Sequence, residues 1–287
     1  MRLIACLCLT LAFPGLSAAQ DRPFASFDLA GPAVLNDPHD IAVGPDGRVY
    51  VADKLGNRIA VLDPETLELV ETIGDGLMPQ VRDVSFGPDG QAAVAVSGLG
   101  TVLVFGTLEA GREPVAALAA PGSEGALMHS NGRIYAMASG TGALMAYEGG
   151  EVVATAGGHF GTHDVAEGPE GDVWVADNRN LRLVRYAQDL TELQVIDDVK
   201  FGFRGPRYMD VDPFGRLVVA DQESHRILLI DPDGPEGGTL LGVLGDGTPG
   251  AEPGRFDDPE GVAISGNRYY ISDSDNNRVV RYSVILN

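Results

Sequence analysis

One pattern recurs along the chain and constrains its fold more than any other feature. It is clearest at residues 36–62, which read NDPHDIAVGPDGRVYVADKLGNRIAVL. The apolar run IAV is followed by a GPDG turn, by a second run, RVYVAD, and after a short loop by a third run, RIAVL. Alternating or β-branched runs bounded by Gly, Pro, Asn and Asp predict β-strands joined by tight turns. Each copy of the pattern is therefore expected to form three consecutive strands.

Six copies of the turn between the first two strands can be aligned, and their spacing indicates the architecture. The turns lie at residues 44–47, 87–90, 129–132, 168–171, 212–215 and 265–267. A repeat of about 40 residues with several strands per unit is typical of a β-propeller. A fourth strand is predicted after each of the first five copies, at residues 67–73, 114–119, 151–156, 191–197 and 239–244.

The sixth copy has no fourth strand of its own. The segment Pro23–Leu29, PFASFDL, has the character of a strand and precedes the first copy. We expect it to pair with the last strand, near Val279–Ile285, and so to complete the sixth blade and close the ring without a free sheet edge. The predicted fold is an all-β, six-bladed β-propeller of four-stranded blades, in one domain that spans residues 20–287.

The first 19 residues have the features of a secretory signal peptide. Arg2 precedes an apolar stretch at residues 3–16 that is too short to span a bilayer, and residues 17–19 are the small residues of a cleavage site. We expect residues 1–19 to be removed and the mature protein to be secreted or periplasmic. Cys6 and Cys8 are the two cysteines of the chain and lie in this segment, which excludes thiol catalysis and thiolate metal sites in the mature protein.

The charge of the chain restricts the class of partner. The sequence contains 20 Lys and Arg against 41 Asp and Glu, a formal net charge of −21, and its basic residues are scattered. Neither nucleic acid nor an anionic membrane surface is expected as a partner. Beyond the signal peptide the sequence has no apolar stretch long enough to span a membrane. The mature protein is expected to be a monomer.

Four of the six repeats resemble the NHL repeat, and three of them show it in full: DPHDIAVGPDGRVYVADKLGNRIAVLD, THDVAEGPEGDVWVADNRNLRLVRY and FDDPEGVAISGNRYYISDSDNNRVVRY. The resemblance extends over essentially all of the mature chain, although the second and third copies have drifted. It implies a secreted bacterial propeller with six blades. It implies little about function, because propellers of this kind include both enzymes and binding scaffolds.

Four of the six repeats carry an Asp and an Arg at a fixed spacing. The pairs are Asp53 and Arg58, Asp177 and Arg182, Asp221 and Arg226, and Asp273 and Arg278. The two drifted repeats have lost both members together, with Val96 and Thr101 in one and Ala138 and Ala143 in the other. Joint loss predicts a charge-assisted hydrogen bond across the loop between the second and third strands. We interpret the pairs as clamps that stabilise the blades.

The residues that begin the first strand of each blade are expected to surround the central channel. The position after the Pro of the PHD sequence gives a ring in which the order His-Arg-Glu occurs twice: His39, Arg82, Glu124, His163, Arg207 and Glu260. The next position adds polar residues in four blades: Asp40, Asp83, Asp164 and Tyr208. We expect these side chains to form a wet ligand-binding pocket, with both Arg side chains gripping an anionic group. His39 and His163 are the catalytic candidates if the protein is an enzyme, since His titrates near neutral pH.

The same ring differs from the metal sites known in related propellers. The peptidyl-hydroxyglycine lyases, to which the chain bears a distant resemblance, hold zinc with His side chains from three alternate blades. Here each set of alternate blades supplies one His, one Glu and one Arg, and Arg does not ligate a metal. The metal set of the gluconolactonase-like propellers is not found either. Zn²⁺ and Ca²⁺ both stay open as cofactors, without a full set of ligands.

Two functions follow from these observations. The first is a binding module that engages a small polar ligand or a partner protein at the channel mouth. The alternative is a lactonase-like hydrolase, or a lyase, that uses the His, Arg and Glu ring. The polar ring favours an enzyme, whereas the missing nucleophile motif and metal set favour binding. We predict the binding module.

Overall fold

The computed structural model describes residues 23–197 and 200–285, so the predicted signal peptide lies outside the described residues. The chain forms six antiparallel sheets of four strands each. The first three blades in chain order consist of β2 (Pro38–Val43), β3 (Val49–Asp53), β4 (Arg58–Leu62) and β5 (Leu69–Ile73); β6 (Val81–Phe86), β7 (Ala92–Val96), β8 (Thr101–Phe105) and β9 (Ala116–Ala119); and β10 (Ser123–Met128), β11 (Ile134–Ala138), β12 (Ala143–Glu148) and β13 (Glu151–Ala156).

The last three blades follow the same plan. They consist of β14 (Asp164–Glu167), β15 (Val173–Asp177), β16 (Arg182–Tyr186) and β17 (Glu192–Ile196); β18 (Pro206–Val211), β19 (Leu217–Asp221), β20 (Arg226–Asp231) and β21 (Thr239–Leu244); and β22 (Pro259–Ser265), β23 (Arg268–Asp273) and β24 (Arg278–Val284), with β1 (Ala25–Ala30) as the outer strand. Short 3₁₀ turns connect the second and third strands of four blades: Ser97–Leu99, Asn178–Asn180, Gln222–Ser224 and Ser274–Asn276. The predicted six-bladed propeller and its fourth strands are confirmed.

The outer strand of the sixth blade comes from the beginning of the described chain. Strand β1 pairs antiparallel with β24, with Ala25 opposite Val284 and Ala30 opposite Val280. Phe27 packs edge-to-face on Tyr282, with ring centroids 5.7 Å apart. The expected pairing of the N-terminal strand with the last strand is therefore observed.

The hydrophobic core is divided into six layers, each between two neighbouring blades. In one layer, Tyr50 and Ile59 of the first blade pack against Val84 and Val94 of the second. The layer between the last and first blades follows the same rule and includes Tyr270 and Val279 with Ile41 and Val49. Because both faces of every blade are covered in this way, the second strands of four blades, β3, β7, β15 and β19, are buried along their whole length.

This packing positions the polar residues of the channel. The first strands β2, β6, β10, β14, β18 and β22 contact one another in order around the axis. Their outward neighbours supply the apolar layers, which leaves the axis itself free for polar side chains. Among the described residues, no helix is long and apolar enough to cross a membrane.

Candidate functional site

The six predicted ring residues do converge, and they form an almost continuous chain of charge contacts around the axis. His39 Nδ1 lies 2.7 Å from Glu260 Oε2 and 3.4 Å from Arg82 Nη1. Glu124 Oε2 lies 3.3 Å from Arg82 Nη1 and 3.1 Å from His163 Nδ1. Arg207 Nε lies 3.1 Å from Glu260 Oε2. These contacts join every neighbouring pair of blades except the fourth and fifth, whose ring residues are His163 and Arg207.

Arg and Glu side chains in this ring neutralise one another. Burial tends to raise the pKa of Glu260, but His39 and Arg207 outweigh burial and hold that pKa at about 2. Burial and the charge of Arg207 lower the pKa of His163 to about 4. His163 is therefore neutral at pH 7, and Glu260 is ionised and already compensated by its neighbours.

Tyr208 fills the space that the ring encloses. Its ring centroid lies 6.1 Å from that of His39 and 6.0 Å from that of His163, which belong to opposite blades. Its hydroxyl reaches across the axis to the carbonyl oxygens of Arg82, at 3.1 Å, and Glu124, at 3.4 Å. Tyr208 is completely buried, and burial raises its pKa well above the usual range.

The expectation of a wet pocket at the ring therefore differs from the structure. His39 and Tyr208 are fully buried, Glu260 is 2 % exposed, and the side chains of Arg82 and Arg207 are 14 % and 15 % exposed. The reason is that Tyr208, placed by the sequence among the ligand-binding residues, occupies the volume that a ligand would need. The roles predicted for the ring residues in ligand binding and for His39 and His163 in catalysis stay predictions.

A cavity of about 260 Å³ lies on the axis beside this polar ring, lined by the first strands of all six blades. Five carboxylates line it. Glu167 accepts a hydrogen bond from Ser130 N at 2.8 Å, and the other four form what we call the acidic cluster: Asp40, Asp83, Asp164 and Asp210. Three of them are the Asp residues that the sequence placed one position after the ring. The described lining contains no Lys, Arg or His, so the charge of the acidic cluster, unlike that of the ring, is not neutralised by side chains.

Each member of the acidic cluster accepts a backbone N–H from the first strand of the next blade. Asp83 Oδ2 accepts from Ala126 N at 3.0 Å, and Asp164 Oδ2 accepts from Met209 N at 2.6 Å. Asp40 and Asp210 make the corresponding bonds to Val84 N, at 3.4 Å, and to Ile264 N, at 2.8 Å. These bonds fix the direction of the carboxylates and connect the blades at the axis.

Burial and repulsion between carboxylates raise the pKa values of the acidic cluster. The pKa of Asp164 is raised to about 7 and that of Asp210 to about 6, in both cases mainly by burial. Burial, followed by the charges of the other carboxylates, raises the pKa values of Asp40 and Asp83 well above the ordinary value. Removing these groups from water without a cation nearby disfavours their charged form.

Asp210 was missed by the sequence analysis, and the reason is local to the fifth blade. Because side chains alternate along a strand, Tyr208 and Asp210 are expected on the same face. Tyr208 takes the position that Asp occupies in three other blades, and the carboxylate of this blade comes two residues later. The period-2 pattern from Tyr208 could have indicated Asp210.

Glycines replace the carboxylate in the two remaining blades because the backbone of the next blade comes too close. A Cβ added at Gly125 would lie 2.4 Å from the carbonyl oxygen of His163. A Cβ added at Gly261 would lie 2.5 Å from the carbonyl oxygen of His39. The carboxylates are thus confined to four of the six blades by packing.

One group of potential metal ligands exists among the described residues. Asp37, His39 and Glu260 each place a ligand atom within 4.8 Å of the other two. Asp37 is already paired with Lys54 at 2.5 Å, and Glu260 with Arg207 at 3.1 Å. Lys54 and Arg207 already neutralise the two carboxylates that a divalent ion would need as ligands. These residues therefore do not fit Zn²⁺ or Ca²⁺.

The four predicted clamps are formed. The Arg Nε to Asp Oδ2 distance is 2.8, 2.8, 2.9 and 2.8 Å in the pairs from Asp53 to Asp273. All four Asp residues are fully buried. Each also accepts a backbone N–H from the segment that enters its blade: Asn36, Phe160, Arg204 and Asp257. The clamps therefore join three parts of each blade.

A wider groove of about 870 Å³ lies away from the axis, between the outer parts of the fifth and sixth blades. Phe27 and Tyr282 line one side, and Arg226 and Asp246 line the other. Arg226 is bound to Asp221, and Asp246 is bound to Arg255 at 2.9 Å. None of the predicted site residues lies in this groove.

Comparison with known proteins agrees with this architecture. The NHL repeat family model matches residues 35–62 and 256–282, in the first and last blades. A segment of 67 residues, 23 % of this chain, is 39 % identical to the PE-PGRS family protein PE_PGRS18 of Mycobacterium tuberculosis. The match covers 13 % of that relative.

Two solved structures illustrate the likeness of fold. Virginiamycin B lyase from Staphylococcus aureus has a TM-score of 0.62 and 14 % identity, over 87 % of this chain and 96 % of that one. An auxiliary nutrient binding protein from Bacteroides ovatus has a TM-score of 0.67 and 18 % identity, over 90 % of this chain and 72 % of that one. The fold defines a β-propeller with six blades. Its first and last blades match the NHL repeat.

Proposed function

We propose that the chain is a secreted or periplasmic binding module that takes a small polar ligand into the axial cavity. The observation that carries this proposal is the cavity of about 260 Å³, which is lined by all six blades and includes the acidic cluster, whose four carboxylates have no basic partner in the described lining. Small-ligand sites in proteins are concave and carry a few convergent polar groups. The nutrient binding protein from Bacteroides ovatus, a neighbour in fold, supports a binding role by analogy.

The alternative, a hydrolase or lyase acting through His39 and His163, has less support from the geometry. His39 is fully buried against Glu260, and Tyr208 separates it from His163. A catalytic base must come within hydrogen-bond reach of the proton that it removes. Tyr208 occupies the space between the two imidazoles, and the side chain of His163 is only 12 % exposed.

A blocking substitution tests the proposed site. Native mass spectrometry of the purified mature protein should find a bound small molecule that is lost on denaturation. Ala42 lines the cavity and is partly exposed, so Ala42→Phe should fill the space and abolish this retention. Ala117→Phe on the exposed outer strand β9 is the matched control and should retain the molecule.

Two results would argue against the proposal. Retention by Ala42→Phe would place the ligand elsewhere, and turnover of a lactone or peptide substrate that disappears in His163→Ala would favour the enzyme.

Export is tested separately. The mass of protein recovered from the periplasm or medium should correspond to a chain that begins near Gln20, and an uncleaved cytoplasmic chain would contradict it.

A further inference from the structure

We propose that the groove between the outer parts of the fifth and sixth blades binds an extended, apolar peptide segment of a partner protein, and that Arg204 pairs with an acidic side chain of this segment. The groove is separate from the axial cavity, so this inference goes beyond the proposed function and does not rest on it. The volume of the groove, about 870 Å³, lies within the usual range of ligand-binding clefts, about 300–1,000 Å³.

The first support is an arginine without a partner in a strongly acidic chain. Acidic residues outnumber basic ones by 41 to 20. Among the described arginines, Arg204 is the one whose guanidinium has neither an ion pair nor a cation–π contact. Arg179 also lacks a carboxylate partner, but it lies over the ring of Phe160 at 5.3 Å. Arg204 is exposed and lines the groove.

The other charged side chains that line the groove are already neutralised. Arg226 is paired with Asp221 at 2.7 Å, and Asp246 is paired with Arg255 at 2.9 Å. Arg204 therefore gives the groove a positive charge that nothing in the described lining balances. One guanidinium can donate two parallel hydrogen bonds to a carboxylate. Since exposed charges more than about 8 Å apart are largely screened at physiological ionic strength, the net charge of −21 does not cancel this local attraction.

The second support is the position of the groove between two outer strands. β21 is the last strand in the sheet of the fifth blade and β1 the last in the sheet of the sixth, so each pairs with a neighbour on one side only. An unpaired edge is a template for an added strand. A peptide paired with β1 would continue the sheet of the sixth blade, and every second side chain would point into the groove beside Ala25 and Phe27.

The apolar wall of the groove indicates what these side chains should be. Phe27 and Val243 line the groove and are partly exposed, and Phe27 packs on Tyr282. Apolar side chains of the peptide would cover this wall while an acidic neighbour reaches Arg204. A small inorganic anion would pair with Arg204 and leave the wall uncovered. A second copy of this chain carries the same net charge of −21, and two such copies repel each other.

Selection from a phage-displayed library of random dodecapeptides tests both features of the groove. Peptides enriched on the purified protein should carry an Asp or Glu next to apolar residues. In titration calorimetry, the most enriched peptide should bind Arg204→Ala about tenfold or more weakly, as expected for one lost charge-assisted contact. Ser224→Trp should fill the groove and abolish binding. Arg179→Ala removes the other arginine without a carboxylate partner and is the matched control, which should bind unchanged.

Arg204→Ala should fold, because Asp221 accepts the backbone N–H of residue 204, which the variant keeps. Arg204→Lys retains the charge and should retain part of the affinity. Replacing the acidic residue of the peptide by its amide should weaken binding as much as Arg204→Ala does. Ala42→Phe should leave peptide binding unchanged, which separates this test from that of the axial cavity.

Several results would overturn the inference. They are a library without enriched peptides, enrichment of basic peptides, and equal affinity for the parent and for Arg204→Ala or Ser224→Trp. A dimer in analytical ultracentrifugation that Arg204→Glu abolishes would identify a second copy as the occupant. Peptide binding that requires deletion of residues 20–22 would identify the chain's own N-terminal segment instead.

Discussion

Replacing Asp221 with Ala should destabilise the propeller more than replacing Arg226 with Ala, although both substitutions break the same ion pair. Asp221 is fully buried, whereas the side chain of Arg226 is 18 % exposed. Asp221 Oδ1 accepts the backbone N–H groups of Arg204 and Gly205, both at 2.8 Å. Its Oδ2 accepts Arg226 Nε at 2.9 Å and Nη2 at 2.7 Å. The carboxylate of Asp221 therefore accepts four hydrogen bonds in a buried site, whereas the guanidinium of Arg226 is partly exposed to water.

The magnitudes follow from what each substitution leaves behind. Asp221→Ala removes the acceptor of two backbone N–H groups, and each unsatisfied buried group costs about 1–3 kcal/mol. The Arg226 side chain can then be partly solvated while it still donates hydrogen bonds to the carbonyl oxygens of Phe201 and Gly202. The expected loss is about 2–5 kcal/mol. Arg226→Ala leaves a carboxylate that still has two backbone donors, for a loss of about 1–3 kcal/mol.

Equilibrium unfolding in guanidinium chloride near neutral pH measures these losses. The double variant Asp221→Ala/Arg226→Ala should lose about 1–3 kcal/mol less than the two single losses added, since the two groups contact each other directly. Arg48→Ala is the matched control, because the contacts of Arg48 with Asp46 and Glu71 are partly exposed ion pairs and should together contribute about 1 kcal/mol or less. Additive losses, or a larger loss for Arg226→Ala than for Asp221→Ala, would refute this account of the clamp.

Three further predictions concern the axis and the N-terminal strand. The raised pKa values of Asp164, about 7, and Asp210, about 6, mean that the folded state binds more protons than the unfolded state from about pH 4 to about pH 7. The free energy of unfolding should therefore fall as pH rises through this window, by an amount on the order of a few kcal/mol. His163, with a pKa of about 4, opposes this trend but is one group against several. A free energy of unfolding that rises with pH would contradict the raised pKa values of the two Asp residues. Tyr208→Phe should cost about 1 kcal/mol in chemical denaturation, since it removes the buried hydroxyl that lies near the carbonyl oxygens of Arg82 and Glu124, and an unchanged stability would mean that the hydroxyl is not bonded across the axis. Deleting residues 20–30 should lower the melting temperature and promote association, because it uncovers the edge of β24; a monomer of unchanged melting temperature would show that β1 is dispensable.

The repeat in the sequence was sufficient to predict the blades. Turn residues and apolar alternation are local signals, and each of the six copies reports the same strands independently. The clamp pairs such as Asp53 and Arg58 were also predictable, because two residues five positions apart on paired strands lie opposite each other in any such hairpin. Equivalent positions in a repeat must superpose, and for this reason the six ring residues were correctly expected to converge.

The state of the channel was decided by tertiary structure. The sequence placed Tyr208 among residues that bind a ligand, but the side chain is long enough to reach Arg82 on the opposite blade and fills the space between His39 and His163. Whether ionic side chains neutralise one another or face a cavity depends on distances across the axis, which no local pattern specifies. The sequence alone therefore determined the blades and which residues meet at the axis. Only the packing of six blades around Tyr208 decided that the ring residues pair with one another, and that the neighbouring cavity is lined by carboxylates without basic partners.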